Sequence, residues 1–281
     1  MGMPVRVVLY ADTEAEARRA ATAAFARVEA LEQIFSDYRA GSEVSRLSAR
    51  AQEWVPVSGE LFALARRAIE IARLTDGAFD PTVGPLVSLW REARRTKTLP
   101  PAATIESARA RVGWPLIDLD DHRQAIRLKT EGMRLDFGGI AKGYILQEAL
   151  RAAAAAGVTR ALLEAGGDIV VGDPPPERDG WRIDAQASAK AFADQAGRLR
   201  NMAIATSGPT AQFVEIDGVR YSHVIDPRRG LGLTHDVVAR VIAADGATAD
   251  ALATAATVLG PDGLQRIKER FPSALVSLST K

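Results

Sequence analysis

The nonamer Leu135-Asp136-Phe137-Gly138-Gly139-Ile140-Ala141-Lys142-Gly143 puts a carboxylate, bare backbone and an ammonium into one strand-to-helix turn. Free amides at a helix start, with a cation beside them, suit a phosphate-bearing ligand. A plainer reading leaves the glycines as a tight turn and Lys142 solvated. Further on, Asp250 and Thr254 are four apart in a helical stretch, hence on one face and one turn apart. A carboxylate and a hydroxyl are hard oxygen donors, suited to Mg²⁺ rather than Zn²⁺. The plainer alternative has Asp250 answering the helix dipole and Thr254 simply buried. His223 ends a strand just before the turn opened by Asp226-Pro227. Its imidazole is either a proton acceptor or a satisfied structural residue. His122 and His235 sit in polar surroundings and receive no role.

These groups need elements to hold them. Val5–Tyr10 reads as a strand, and Asp12 or Thr13 caps a helix to about Phe35, buried along Ala20, Ala24, Val28, Leu31 and Phe35. Ser58 opens a second long helix that Gly77 stops, and Leu86, Leu89 and Trp90 mark a short helix after it. Ala125–Leu128 and Met133–Leu135 flank Glu131-Gly132 as an expected hairpin that delivers the chain to the glycine pair. A helix from about Ile140 to Gly157 follows, then strands around Gly166-Gly167. Short strands are expected at Trp181–Ala187, Met202–Thr206, Phe213–Ile216 and Arg220–Ile225, two of them joined at Asp217-Gly218, and then at Val237–Ala243. Helices over about Ala247–Leu259 and Gly263–Arg270 precede a last strand, Ala274–Leu278. Helices and hairpins mix without a βαβ rhythm, so the fold class is α+β with antiparallel or mixed sheets. The chain reads as a single unit over 1–281, with a surface insertion near 94–103.

Composition removes whole classes of function. There is no cysteine, so thiol nucleophiles, thiolate metal sites and disulfides are absent. A formal charge of +1 gives no bulk attraction to nucleic acid or an acidic membrane. No apolar run approaches the roughly 18 residues of a membrane span. Familiar motifs fail as well. Lys142 is followed by Gly143 rather than Ser or Thr, so this is no P-loop, and Ile140 breaks a dinucleotide fingerprint.

Taken together and in order, several short stretches resemble the ApbE family of FAD:protein FMN transferases. They are Met1-Gly2-Met3-Pro4, Phe35–Tyr38 with Ser42–Leu47, Gly77–Thr82, Leu135–Gly143, Gly166–Ile169, Thr206–Gly208, Ser222–Pro227 and Asp250–Thr254. The resemblance implies two lobes around a deep FAD site. It implies Mg²⁺-dependent cleavage of the FAD pyrophosphate, transfer of FMN through its phosphate to a Thr or Ser hydroxyl of a target protein, and release of AMP. By the same resemblance Met1, Tyr38, Ala78, Phe79 and Asp80 hold the nucleotide at its adenosine end, and Asp136, Lys142 and the backbone near Val224 also contact FAD. The metal falls to the carbonyl of Gly139 and the side chains of Asp250 and Thr254, in one ion or two. His223 is the base. A Mg²⁺-dependent FAD pyrophosphatase and a non-catalytic FAD-binding protein are the alternatives. The family implies a periplasmic or outward-facing membrane-associated location, although no export signal is read here, which leaves a cytoplasmic one open. Arg229 stands where the family commonly has a small hydroxyl residue.

Overall fold

The structure, a computed structural model, describes residues 3–183, 192, 194, 196–208 and 213–280. Its frame is a six-stranded sheet in which every neighbouring pair is antiparallel. The spatial order is β1 (Val5–Leu9), β5 (Ala161–Ala165), β6 (Asp168–Val171), β7 (Met202–Ser207), β12 (Val237–Ala243) and β13 (Leu275–Thr280). One face of this sheet packs on α6 (Ala141–Ala155) and α7 (Gly246–Arg270), with α1 (Glu14–Phe35) against α6 and α3 (Gly59–Leu74) against α7. The other face is covered by Trp181, Phe192, Ala196 and Leu199.

Local chemistry accounts for these elements. Thr13 and Glu16 form a reciprocal capping box at the start of α1, and the buried stripe of that helix is Ala20, Ala24, Val28, Leu31 and Phe35. Ser58 caps α3, whose end is turned by Asp76 and Gly77, both in the left-handed region. Arg27 of α1 pairs with Glu60 of α3 and, at 3.3 Å, with Glu148 of α6, while the Tyr144 hydroxyl donates to Glu60 at 2.6 Å. This shared arginine fixes the three helices side by side. In α7 the helix breaks at Gly260, with φ 64°, next to Pro261, which lacks an N–H to continue the ladder.

A second, smaller layer sits beside this frame. It holds α2 (Glu43–Ser48), α4 (Gly84–Thr96), α5 (Ala102–Arg109) and a three-stranded sheet of β2 (Val55–Pro56), β4 (Ala125–Leu128) and β3 (Ile117–Asp120) in that order. Two short hairpins complete it, β8 (Phe213–Ile216) with β9 (Val219–Ser222) and β10 (Ile225–Asp226) with β11 (Leu231–Gly232). Leu86, Trp90, Ala93, Ala108, Val214, Ile216 and Ile225 pack α4, α5 and the hairpins together, while Val44, Leu47, Val55, Ile117, Ile126 and Leu128 of α2 and the three-stranded sheet join the main core.

The structure corrects the expected hairpin at Glu131-Gly132. β4 pairs instead with β3, an unforeseen strand, and with β2. Gly132, at φ 75°, makes a turn only, after which Arg134 bridges Val83 and the Asp136 amide donates to the Pro81 carbonyl at 2.8 Å. Residues 97–101 connect α4 to α5. The strand expected over Trp181–Ala187 is a single bridge from Trp181 to Leu199, and residues 184–187 lie outside the described ones.

Candidate active site

The first turns of α6 and α7 meet at Gly143 and Gly246. A Cβ on Gly143 would lie 1.9 Å from the Gly246 carbonyl oxygen, and one on Gly246 would lie 2.1 Å from that of Gly143. No other residue type permits this approach. The two helix starts therefore abut, and their first amides find partners outside the helix, as where Gly246 donates to Gln147 Oε1 at 3.3 Å. The residue before α6, Ile140, supplies no side-chain cap. Asp250 does so from the other helix, its Oδ2 accepting from the Gly143 amide at 3.2 Å. The cap of α7 itself is Asp245, which accepts from the Thr248 amide and hydroxyl at 2.8 and 2.6 Å. Asp250 is thus free of the dipole role at its own helix start and faces α6.

Lys142 enters the same volume from the first turn of α6. Its Nζ is 2.8 Å from Oδ1 of Asp250 and 2.6 Å from Oδ2 of Asp168. Asp168 receives no ligand role from the sequence motif Gly166–Ile169. It is delivered by the turn Ala165-Gly166-Gly167-Asp168, where both glycines have positive φ, 58° and 91°, as a two-residue hairpin of mirror-image type requires. Its Oδ1 accepts from the Thr206 amide at 3.1 Å. The two carboxylates are buried while the lysine side chain keeps 22 % of its exposure. Burial pushes the Asp168 carboxyl up to about 7, with the Lys142 charge opposing and the Asp250 charge adding to the rise. Burial also works against the Lys142 ammonium, but Asp250 and Asp168 outweigh it and hold the group above the ordinary lysine value. The site keeps its cation and a surplus of acid.

Gly139 and Thr254 complete the cluster. A Cβ on Gly139 would stand 2.9 Å from Thr254 Oγ1, so the backbone of the glycine pair lies directly against the α7 hydroxyl. At Gly138 a Cβ would stand 2.9 Å from Asp136 Oδ1, which accepts from the Gly138 amide at 2.7 Å. The glycine pair serves close approach; neither member has positive φ. The Asp250 carboxylate and the Thr254 hydroxyl, with the Gly139 backbone alongside, are hard oxygen donors of the kind that fits a magnesium-like ion. Among the described residues no group of three or more His, Cys, Asp and Glu side chains gathers anywhere. A magnesium ion held by so few acids would keep water in its remaining positions.

The other assigned residues divide. Asp136 is buried, and burial with the nearby Asp37 charge raises its carboxyl to about 6. Tyr38 is 78 % exposed. Ala78 and Phe79 are core side chains, so only their backbone is available to a nucleotide. Asp80 is buried with both oxygens engaged: Oδ1 accepts from the Thr82 amide and hydroxyl, and Oδ2 from the Trp114 amide at 2.9 Å. Burial raises its carboxyl despite those bonds. The Val224 amide donates to Ser222 Oγ at 3.0 Å and its carbonyl accepts from Leu233 at 2.9 Å. His223 is exposed between these two buried neighbours. Arg229 is likewise exposed, and Met1 lies outside the described residues. A separate cavity of about 450 Å³, lined by Arg178, Asp179, Gly180, Arg182, Asp194, Gly197 and Arg198, shares no residue with this cluster.

An antiparallel sheet backed by two helices whose starts abut beside a lysine bridged by two buried carboxylates defines an α+β protein with its polar site at the helix junction. The chain belongs to the ApbE family, which it matches over residues 1–276. It is 31 % identical over 280 residues to an FAD:protein FMN transferase of Klebsiella pneumoniae, covering 95 % of this chain and 79 % of that one. An ApbE protein of Thermotoga maritima superposes with a TM-score of 0.86 at 31 % identity, covering 100 % of this chain and 94 % of its own. The flavinyl transferase ApbE of Pseudomonas stutzeri gives 0.82 at 27 % identity, covering 99 % and 92 %.

Proposed function

We propose that this chain is an FAD:protein FMN transferase that cuts the FAD pyrophosphate, passes FMN through its phosphate to a Thr or Ser hydroxyl of a target protein, and releases AMP. The observation that carries the reading is the placement of Lys142, Asp250, Thr254 and Gly139 in one volume at two abutting helix starts, in a member of this family. Pyrophosphate cleavage spreads negative charge over phosphate oxygens, so positioning and charge neutralisation supply most of the rate. Lys142 contributes that on the protein side. Asp250, Thr254 and the Gly139 carbonyl would hold Mg²⁺, which when bound polarises phosphoryl oxygens. His223, on a rigid stretch between pinned neighbours, takes the proton of the acceptor hydroxyl. Tyr38, Asp136 and the backbone of 78–80 and 224 bind the rest of FAD.

The test is incubation with FAD, Mg²⁺ and a target protein bearing an acceptor threonine, followed by denaturing gel and flavin fluorescence. Flavin that stays with the target supports the reading. Free FMN and AMP without an adduct identify a pyrophosphatase instead. Tight FAD binding with no turnover identifies a binding protein. By family resemblance we also place its action on the outer side of the cytoplasmic membrane; fractionation of cells producing the native protein tests that location.

A further inference from the structure

Sequence reasoning takes only apolar residues, Leu86, Leu89 and Trp90, from α4. The next residue, Arg91, is the polar group of that helix that reaches the nucleotide-binding residues. Its Nη2 is 2.6 Å from Oδ2 of Asp37 and 3.7 Å from Oδ2 of Asp136. Its Cζ stands 4.0 Å from the centre of the Tyr38 ring. The arginine side chain is 28 % exposed, whereas Tyr38 is 78 % exposed. Arg91 Nε is buried and has no hydrogen-bond partner among the described residues. The guanidinium is therefore held by charge and by stacking rather than by a full set of hydrogen bonds.

We propose that Arg91 is a positioning residue of the nucleotide site: it backs one face of the Tyr38 ring and ties that ring to Asp136, so that the free face is presented to a planar heterocycle of the dinucleotide. This rests on FAD being the substrate. An exposed tyrosine on a loop samples several rotamers, and a ligand that stacks on it must freeze them. A cation within about 6 Å of a ring centroid is attracted to its face, and the flat guanidinium also stacks. Arg91 thus orders the ring before the ligand arrives. The same fork reaches both Asp37 on the loop and Asp136 at the glycine turn, which sets the distance between the ring and the start of the phosphate site. Seated on the Tyr38 ring and paired with Asp37, Arg91 serves the uncharged ring end. A lysine could supply the charge but could not lie flat on the ring while bridging two acids.

The experiment is a double-mutant cycle on FAD binding, read by flavin fluorescence without Mg²⁺, with steady-state kinetics alongside. Arg91→Met keeps the packed stem and should raise the FAD Kd about tenfold, the loss falling on KM rather than kcat. Arg91→Lys should raise it nearly as far, and should carry the test if the methionine variant does not fold. Tyr38→Ala should weaken binding by a similar factor, and adding Arg91→Met to it should cost no more than about twofold again. Unchanged affinity in both Arg91 variants overturns the proposal, as do losses that multiply fully in the double variant. A parent chain that binds no FAD removes the functional reading and this proposal together, whereas a parent that binds FAD beside unaffected Arg91 variants removes the proposal alone.

Discussion

The Lys142 ammonium lies 2.6 Å from Oδ2 of Asp168, a pair formed across a hairpin and a helix start, and it shares that ammonium with Asp250 at 2.8 Å. One cation between two buried acids is an arrangement that favours function over stability. The ionised form of Asp168 is disfavoured by burial even with Lys142 beside it. Asp168→Asn keeps an acceptor for the Thr206 amide and removes the buried negative charge. We expect kcat/KM for FAD to fall about 10–100-fold, because Lys142 then settles on Asp250 alone. Folding stability at pH 8, from urea denaturation, should be equal to the parent's or higher. A variant destabilised by more than about 2 kcal/mol would show that the pair is a structural salt bridge.

The two glycine contacts separate site geometry from fold. Gly139→Ala brings a methyl against the Thr254 hydroxyl and its methyl, at 2.9 and 3.3 Å, and a side chain can yield. It should fold with a loss of about 1–2 kcal/mol, while activity falls at least about tenfold as Thr254 is displaced. Gly143→Ala meets backbone at 1.9 and 2.3 Å, and backbone of a helix start cannot yield. Its loss should exceed about 3 kcal/mol, or the chain should fail to accumulate as soluble protein. Thermal melts of both variants decide it; similar melting points would contradict the contrast drawn between them.

What the sequence made legible followed from short-range rules. The Thr13 cap, the α1 stripe, the Asp217-Gly218 hairpin and the break of α7 beside Pro261 each depend on residues within a turn or two of one another. Strand pairing does not. β4 had a plausible partner just downstream, yet Ile117–Asp120 competed for it and won, because the stretch after Gly132 is committed to Val83 and Pro81. Lys142 meets Asp250, and Gly139 lies against Thr254. Asp168 and Arg91 gave no signal of comparable strength. A carboxylate after a glycine pair is common turn chemistry, and an arginine after a buried tryptophan looks like a solvated helix face. Their partners, Lys142, Asp250, Asp37 and Asp136, are fixed only by tertiary packing. The assignment of Asp80 to the nucleotide rests on resemblance, while its oxygens here hold the turn to Thr82 and Trp114.

Asp136 should leave a pH signature. Its carboxyl is raised to about 6 in the folded chain by burial and by Asp37, against 3.8 as its ordinary value. The folded state therefore binds more protons than the unfolded one between those limits, and stability falls as pH rises from about 4 to about 6. The ionised group costs about 3 kcal/mol by pH 7. Asp136→Asn keeps the acceptor for the Gly138 amide and cannot titrate. Its stability, measured by urea denaturation at pH 4.5 and 6.5, should vary less than the parent's by about 1–2 kcal/mol. Parallel pH curves for the two proteins would mean that the acid is already paired when ionised.

His223 gives the sharpest division between binding and chemistry. Its neighbours are pinned: the Ser222 amide donates to the Leu233 carbonyl at 2.8 Å, and Leu233 donates back to Val224 at 2.9 Å. The imidazole stands on a fixed backbone on the exposed side, where a protein substrate can reach it, and truncating it disturbs no core packing. His223→Ala should therefore melt within about 2 °C of the parent and keep its FAD affinity within about twofold. Transfer to the target hydroxyl should drop by about 10²–10⁴, the usual contribution of a positioned base. If the variant flavinylates a competent target at the parent's rate, the proton goes elsewhere, and the base must be sought among the acids around Lys142.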